Sequence, residues 1–180
     1  MRSLKKEEMK TLFEKLAHYV GSNAEVLVSR DDEAHCFRII KNKVYYFPSR
    51  LLNQAQVFHR KNLMGAGICL GKMTHSGQFH VLISALPFLA QLSPYRVWVS
   101  GAGELAYVYR SHVIKRHVIR MSDDIPANAG VVVYNEKEDA IGFGTSARSS
   151  AEASRAEPDS KIVLHQADIG EYLRSQDDMF

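Results

Sequence analysis

The 180-residue sequence predicts an α+β protein of two domains: an N-terminal α/β domain with an antiparallel sheet, packed on a C-terminal domain of short strands forming a small closed or nearly closed barrel. Three observations predict it. A helical pattern opens the chain, strand-like runs punctuated by turn residues follow it, and after Pro94 the pattern changes to short Val- and Ile-rich strands.

The opening helix is written by Met9, Leu12, Phe13, Leu16, Ala17 and Val20, with Ser3 as candidate N-cap and Gly21 just past the end. Its Leu12, Phe13 and Leu16 stripe is expected to bury against a meander of three strands, Glu25 to Arg30, His35 to Ile40 and Val44 to Phe47. Turn clusters at Asp31 to Glu33 and Lys41 to Lys43 separate these strands. Pro48 and Ser49 open a second helix carrying Leu51, Leu52, Ala55 and Phe58, a hairpin follows around Thr74 to Gly77, and a third helix covers Ala85 to Leu92. The boundary falls between residues 94 and 95. Beyond it the strands are Tyr95 to Ser100, Val118 to Met121, Gly130 to Tyr134, Ala140 to Thr145 and Lys161 to His165, with one brief helix near Glu104 to Arg110. Ser146 to Ser160 reads as an exposed connection.

Composition narrows the functional classes. An apolar fraction of 46% suffices for packed cores, and no run reaches the roughly 18 to 20 apolar residues of a membrane span. The charged N-terminus is unlike a secretory signal, so an intracellular protein is expected. Cys36 and Cys69, 33 positions apart, are expected to be buried structural thiols. The formal charge of +3 divides into 13 basic against 7 acidic residues over 1–94 and 10 against 13 over 95–180. Within the second half, 95–120 holds five basic residues and one acid, which predicts a local basic patch on an acidic domain.

Several motifs suggest chemistry and do not sustain it. Gly101-Ala-Gly103-Glu-Leu-Ala106 follows a strand, opens a helix and has Asp123 about 20 residues on, as a dinucleotide fingerprint would. The β-hairpins that follow supply no crossover helices, so an enzyme using a nucleotide there is the weakest of the readings. Gly65 to Met73 imitates a phosphate loop but has Ala66 and Met73 at the defining positions, and a strand with close backbone packing is the plainer reading. Gly142-Phe143-Gly144 reads as a structural turn in a hairpin strand. The eight histidines show no metal-ligand spacing, and neither a metal, a cofactor nor a catalytic constellation is expected.

The stretch from Arg110 to Arg120 differs, because Arg110, Ser111, His112, Lys115, Arg116 and His117 concentrate cations and hydrogen-bonding groups beside a short helix. Such a patch holds phosphates without reading bases, although a solvated basic face accounts for the same composition.

Four segments together carry a resemblance: Gly71-Lys72-Met73-Thr74 with Ile83-Ser84-Ala85-Leu86; Val97-Trp98-Val99; Gly130 to Tyr134 with Gly142-Phe143-Gly144; and His165 to Arg174, HQADIGEYLR, the most specific of them. Over nearly its whole length the chain resembles the Nip-seven family of nucleolar ribosome biogenesis factors. The resemblance implies a PUA domain, an RNA-binding pseudo-barrel, over 95–180 and a family-specific α/β domain over 1–94. It further implies a non-catalytic role in large-subunit (60S-type) biogenesis and pre-ribosomal RNA processing, in the nucleus and nucleolus, for a monomer. The implied partners are pre-ribosomal RNA, other assembly factors and proteins of the pre-ribosomal particle, with no membrane.

By the same resemblance the RNA-binding residues are Arg110, Ser111, His112, Lys115 and Arg116, joined by Lys161 from a late strand on which Leu164 is apolar. Where the family commonly shows Tyr-Gly-Asn-His-Val and a Lys-Ser-Gly turn, this chain has Tyr109-Arg110-Ser111-His112-Val113 and Lys115-Arg116-His117, exchanging two glycines for charge. A protein-interaction adaptor, docking through the basic first half while the barrel is mainly structural, is the second reading. The motif at His165 to Arg174 is expected to be structural, with Ile169 and Tyr172 packed and Asp168 or Gln166 satisfying backbone donors.

Overall fold

The computed structural model describes residues 1–23, 34–57 and 63–174. The first expected strand, its turn at Asp31 to Glu33, and Phe58 lie outside the described residues. The chain divides into two compact units, residues 1–17 with 21–85, and residues 18–20 with 86–180.

The first unit contains β1 (Arg2–Ser3), most of α1 (Lys6–Val20), β2 (His35–Ile40), β3 (Lys43–Pro48), α2 (Arg50–Val57), β4 (Ile68–Met73) and β5 (Phe79–Val81). Its sheet is antiparallel throughout, in the order β1-β2-β3-β4-β5. Strand β1 was not expected. Ser3 lies in it, so the start of α1 is held differently: the Lys5 N–H donates to Glu8 at 2.8 Å, and Arg2 grips both Glu8 oxygens at 2.6 and 2.7 Å. That pairing lowers the Glu8 carboxyl to about 2.

The helical stripe differs by one face from expectation. Leu12, Leu16, Tyr19 and Val20 are buried, whereas Ala17 is exposed and Phe13 half-buried. Phe13 meets the meander edge-on at Phe37, 5.5 Å between centroids. Both cysteines are free and half-buried, and burial pushes the Cys69 thiol up. Gly71 in β4 has the close packing expected of it, since a Cβ there would sit 2.1 Å from the His80 carbonyl oxygen.

The second unit holds α3 (Leu86–Leu92), β6 (Arg96–Val99), α4 (Gly101–Val108), β7 (Val113–Ile114), β8 (Val118–Met121), β9 (Gly130–Tyr134), β10 (Ala140–Ser146), α5 (Ser150–Arg155), β11 (Lys161–Asp168) and α6 (Glu171–Arg174). Its six strands run in the order β7-β11-β10-β9-β6-β8. The edge strands β7 and β8 are separated in the chain only by a 3-10 turn at Lys115–His117, so the sheet must curl until its edges nearly meet. Inside lies a core of Val97, Val99, Tyr107, Val131, Val133, Ile141 and Ile162.

On β6, Trp98 faces Arg120 and Tyr134 across the strands on either side. The Arg120 guanidinium lies 3.8 Å from the indole centroid, and the Tyr134 ring stacks at 5.5 Å.

Ser146 to Ser160 is more than a connection. It contains α5, capped reciprocally by Ser149 and Glu152, with Ala153 fully buried. The glycines of Gly142-Phe143-Gly144 lie inside β10 and not in a turn. Added Cβ atoms at Gly142 and Gly144 would each come within 2.3 Å of a carbonyl oxygen of β11.

Candidate nucleic-acid interface

The dinucleotide-like turn is already filled by protein. Ser100 caps α4 by accepting from the Gly103 N–H at 3.4 Å, and Glu136 accepts from the Gly101 N–H at 3.0 Å. A carboxylate thus occupies the place a pyrophosphate would take at that helix start. Gly103 is required for packing, since a Cβ would meet His117 Cβ at 2.8 Å.

The basic stretch begins where α4 ends. Arg110 adopts φ 67°, the left-handed conformation that favours glycine, and is exposed. The backbone path a glycine would take is therefore kept with arginine, at a conformational cost of about 1 kcal/mol. The Ser111 N–H then returns to the Ala106 carbonyl at 3.0 Å, turning the chain into β7.

Strand β7 pairs with β11, placing Ile114 opposite Lys161. His112 is locked by this pairing: its Nδ1 accepts from the His165 backbone N–H at 3.1 Å. A nitrogen that accepts carries no proton, so the neutral ring holds its proton on Nε2. Desolvation, then Lys161 and His165, lowers the His112 pKa below 6.5. The unfolded histidine consequently takes up its proton first on acidification. Stability from this group is complete above about 6.5 and is lost as pH falls through the lowered folded value. In an NMR titration the His112 ring should have its midpoint below 6.5; a midpoint at or above it would contradict the lock.

Lys115 and Arg116 lie in the 3-10 turn, tied by their backbone N–H groups to the carbonyls of Ser160 and Pro158, both at 2.9 Å. Arg116 is ion-paired with Asp159 at 3.0 Å, which neutralises part of its charge, and Lys161 is exposed at the start of β11. The structure thus sets Arg110, Ser111, His112, Lys115 and Lys161 along the β7–β11 edge and its flanking turns, with Arg116 the compromised member.

Behind this edge stands the His165 to Arg174 segment. Asp168, fully buried, accepts from His165 Nε2 at 2.7 Å and the Gly170 N–H at 2.8 Å, and Arg174 Nη2 lies 2.8 Å from each carboxylate oxygen. Arg174 also donates to the Val108 carbonyl, joining α6 to α4. The segment is structural through Asp168, as expected, but Ile169 and Tyr172 are 37% and 41% exposed and do not form its core. Tyr107 does, donating its hydroxyl to the Phe143 carbonyl at 2.7 Å.

Sequence comparison places the same two units in a family. The profile of the NIP7/UPF0113 pre-PUA domain matches residues 1–83, and that of the UPF0113 PUA domain matches 95–177. The chain is 47% identical over 180 residues to the 60S ribosome subunit biogenesis protein nip7 of Schizosaccharomyces pombe, covering all of both chains. It is 45% identical to NIP7 of Saccharomyces cerevisiae, covering 100% of this chain and 99% of the relative. Among solved structures, a PUA domain protein of Aeropyrum pernix aligns with TM-score 0.61 at 14% identity, over 96% of this chain and 87% of its own. A conserved PUA domain protein of Thermoplasma acidophilum gives 0.55 at 15%, over 96% and 95%. Matched end to end by these relatives and in order by both profiles, the chain belongs to the NIP7/UPF0113 family.

Proposed function

We propose that the protein is a non-catalytic, RNA-binding assembly factor of the large ribosomal subunit, acting in pre-ribosomal RNA maturation in the nucleus and nucleolus. Residues 95–180 hold RNA and residues 1–94 engage neighbouring assembly factors. The reading is carried by one juxtaposition: His112 lies beside Lys161 where β7 pairs with β11, and Arg110 and Lys115 occupy the turns that flank β7, in a barrel whose family relatives are named for 60S biogenesis. Cations fix the phosphates, and the His112 Nε2–H and Ser111 hydroxyl offer uncharged donors between them.

Binding of a single-stranded RNA across a salt series tests this. Each phosphate that is no longer neutralised should reduce the slope of log affinity against log salt by roughly 0.7. The full-length Arg110→Glu, Lys115→Glu, Lys161→Glu protein should bind far more weakly, with a flattened slope and an unchanged melting temperature. A slope equal to the wild type would move RNA off this edge. Arg110→Gly separates charge from strain, because it should stabilise the fold by about 1 kcal/mol while still leaving one phosphate without its cation. Loss of stability in that variant would contradict the left-handed strain.

One observation favours a reading distinct from docking through the basic first half, namely protein docking through the barrel. Leu105 and Tyr109 on α4 and its C-terminal cap, and Leu173 on α6, are 63%, 74% and 85% exposed. Wild-type RNA binding by the charge-reversed protein, together with loss of assembly-factor association in Leu105→Ser, Leu173→Ser, would select it.

A further inference from the structure

The first unit contains a cavity of about 430 Å³ at one end of its sheet, built from the ends of separate strands. Arg2 of β1, Ile39 of β2, Lys41 and Asn42 of the β2–β3 turn, and Lys72 to His75 at the end of β4 line it, with Glu8 entering from α1. The single carboxylate among these residues is already neutralised by the two-pronged Arg2 pairing, which leaves Lys41 and Lys72 as net positive charge. Among the described residues no carboxylate pairs with either lysine.

Two features of the backbone sharpen this. Lys41 takes φ 57°, a left-handed position where glycine or asparagine is the less strained choice, so the hairpin tip holds a long cation at a conformational cost. Strand register then sets Lys72 directly opposite Lys43. The 13 basic against 7 acidic residues of 1–94 favour the approach of an anion to Lys72.

We infer that this cavity is a phosphate-binding site, separate in sequence and in unit from the β7–β11 edge, with Lys41 and Lys72 as its cations and Asn42 and Thr74 as neutral neighbours. RNA backbone phosphate and free phosphate share this chemistry, and two arms of one experiment distinguish them. In the first, inorganic phosphate is titrated into the full-length protein while backbone amide resonances are followed by NMR. Saturable shifts at residues 41–42 and 72–75, abolished in Lys41→Gln, Lys72→Gln, are expected; this arm needs no charge-reversed protein to fold.

In the second arm, single-stranded RNA is bound across a salt series by the wild type, by Lys41→Glu, Lys72→Glu, and by the β7–β11 triple variant. If the phosphate comes from RNA, the slope of the cavity variant falls by roughly 0.7 for one phosphate released, and the fall adds to that of the triple variant. Phosphate-dependent shifts with an unchanged RNA slope identify free phosphate as the occupant and uphold the site. Absence of both the shifts and the slope change overturns it. An unchanged slope in the triple variant alone strikes at the RNA reading of the β7–β11 edge and leaves the cavity standing.

Discussion

Asp168→Ala should destabilise the second unit by about 3 to 5 kcal/mol, a large part of the total stability of a domain of this size. The carboxylate is fully buried and holds three partners, His165, the Gly170 N–H and the Arg174 guanidinium. Removing it strands a cation and an N–H whose acceptor has gone, and the α6–α4 link through Arg174 to Val108 loses its anchor. Asp168→Asn retains an acceptor for Gly170 but not the charge, so it should fall between wild type and alanine. Chemical denaturation of the three proteins checks the order. An alanine variant with the wild-type midpoint would mean that the buried pairing contributes nothing.

The second large effect is expected at Gly142. Its Cβ would lie 2.3 Å from the Ala167 carbonyl oxygen and 2.8 Å from Tyr107 Cε1, at the end of the β10–β11 pairing where Gly142 faces Asp168, and beside the most buried tyrosine of the barrel. Neither a backbone carbonyl nor a packed ring can withdraw, so Gly142→Ala should cost about 3 kcal/mol. Gly101→Ala is the matched control, since a Cβ there meets nothing within 4 Å, and its melting temperature should barely change. Equal behaviour of the two variants would remove close strand approach as the reason for glycine in β10.

These two positions show what a sequence can and cannot reveal. HQADIGEYLR is readable as a structural motif, but which of its side chains point inward depends on the bulge between Phe143 and Gly144 in the partner strand, and its Ile169, Tyr172 and Leu173 are exposed. Strands β6, β8, β9 and β10 were legible to within a residue or two because they are short apolar runs, several of them rich in Val and Ile, bounded by turn residues. Helix α5 carries a legible signal too: Ser149 three residues before Glu152 is a capping box, masked by the Ala and Ser that dominate the segment. Strand β1 was not legible, since two residues have no periodicity and pair with β2 more than 30 positions later.

The candidate interface divides in the same way. Its charge was visible in composition, and Lys161 entered through the family resemblance. The His112 lock was not visible, because it joins residues 53 apart through a backbone N–H that has no sequence signature. Nor was the Arg116–Asp159 pair, which lowers the electrostatic value of one residue in the predicted set. The N-terminal cavity was out of reach for a related reason, since strand ends from separate places in the chain compose it.

The Arg120–Trp98–Tyr134 stack gives the molecule an optical label. Trp98 is the only tryptophan in the chain and belongs to the second unit, so indole emission excited at its red edge reports that unit alone. A guanidinium and a phenol ring stacked against the indole fix its surroundings, and unstacking on unfolding will shift both its wavelength and its intensity. Far-ultraviolet dichroism, by contrast, sums the helices and strands of both units. Superimposable melting curves from the two signals would identify one cooperative transition, and separated curves would assign the indole component to the barrel without cutting the chain.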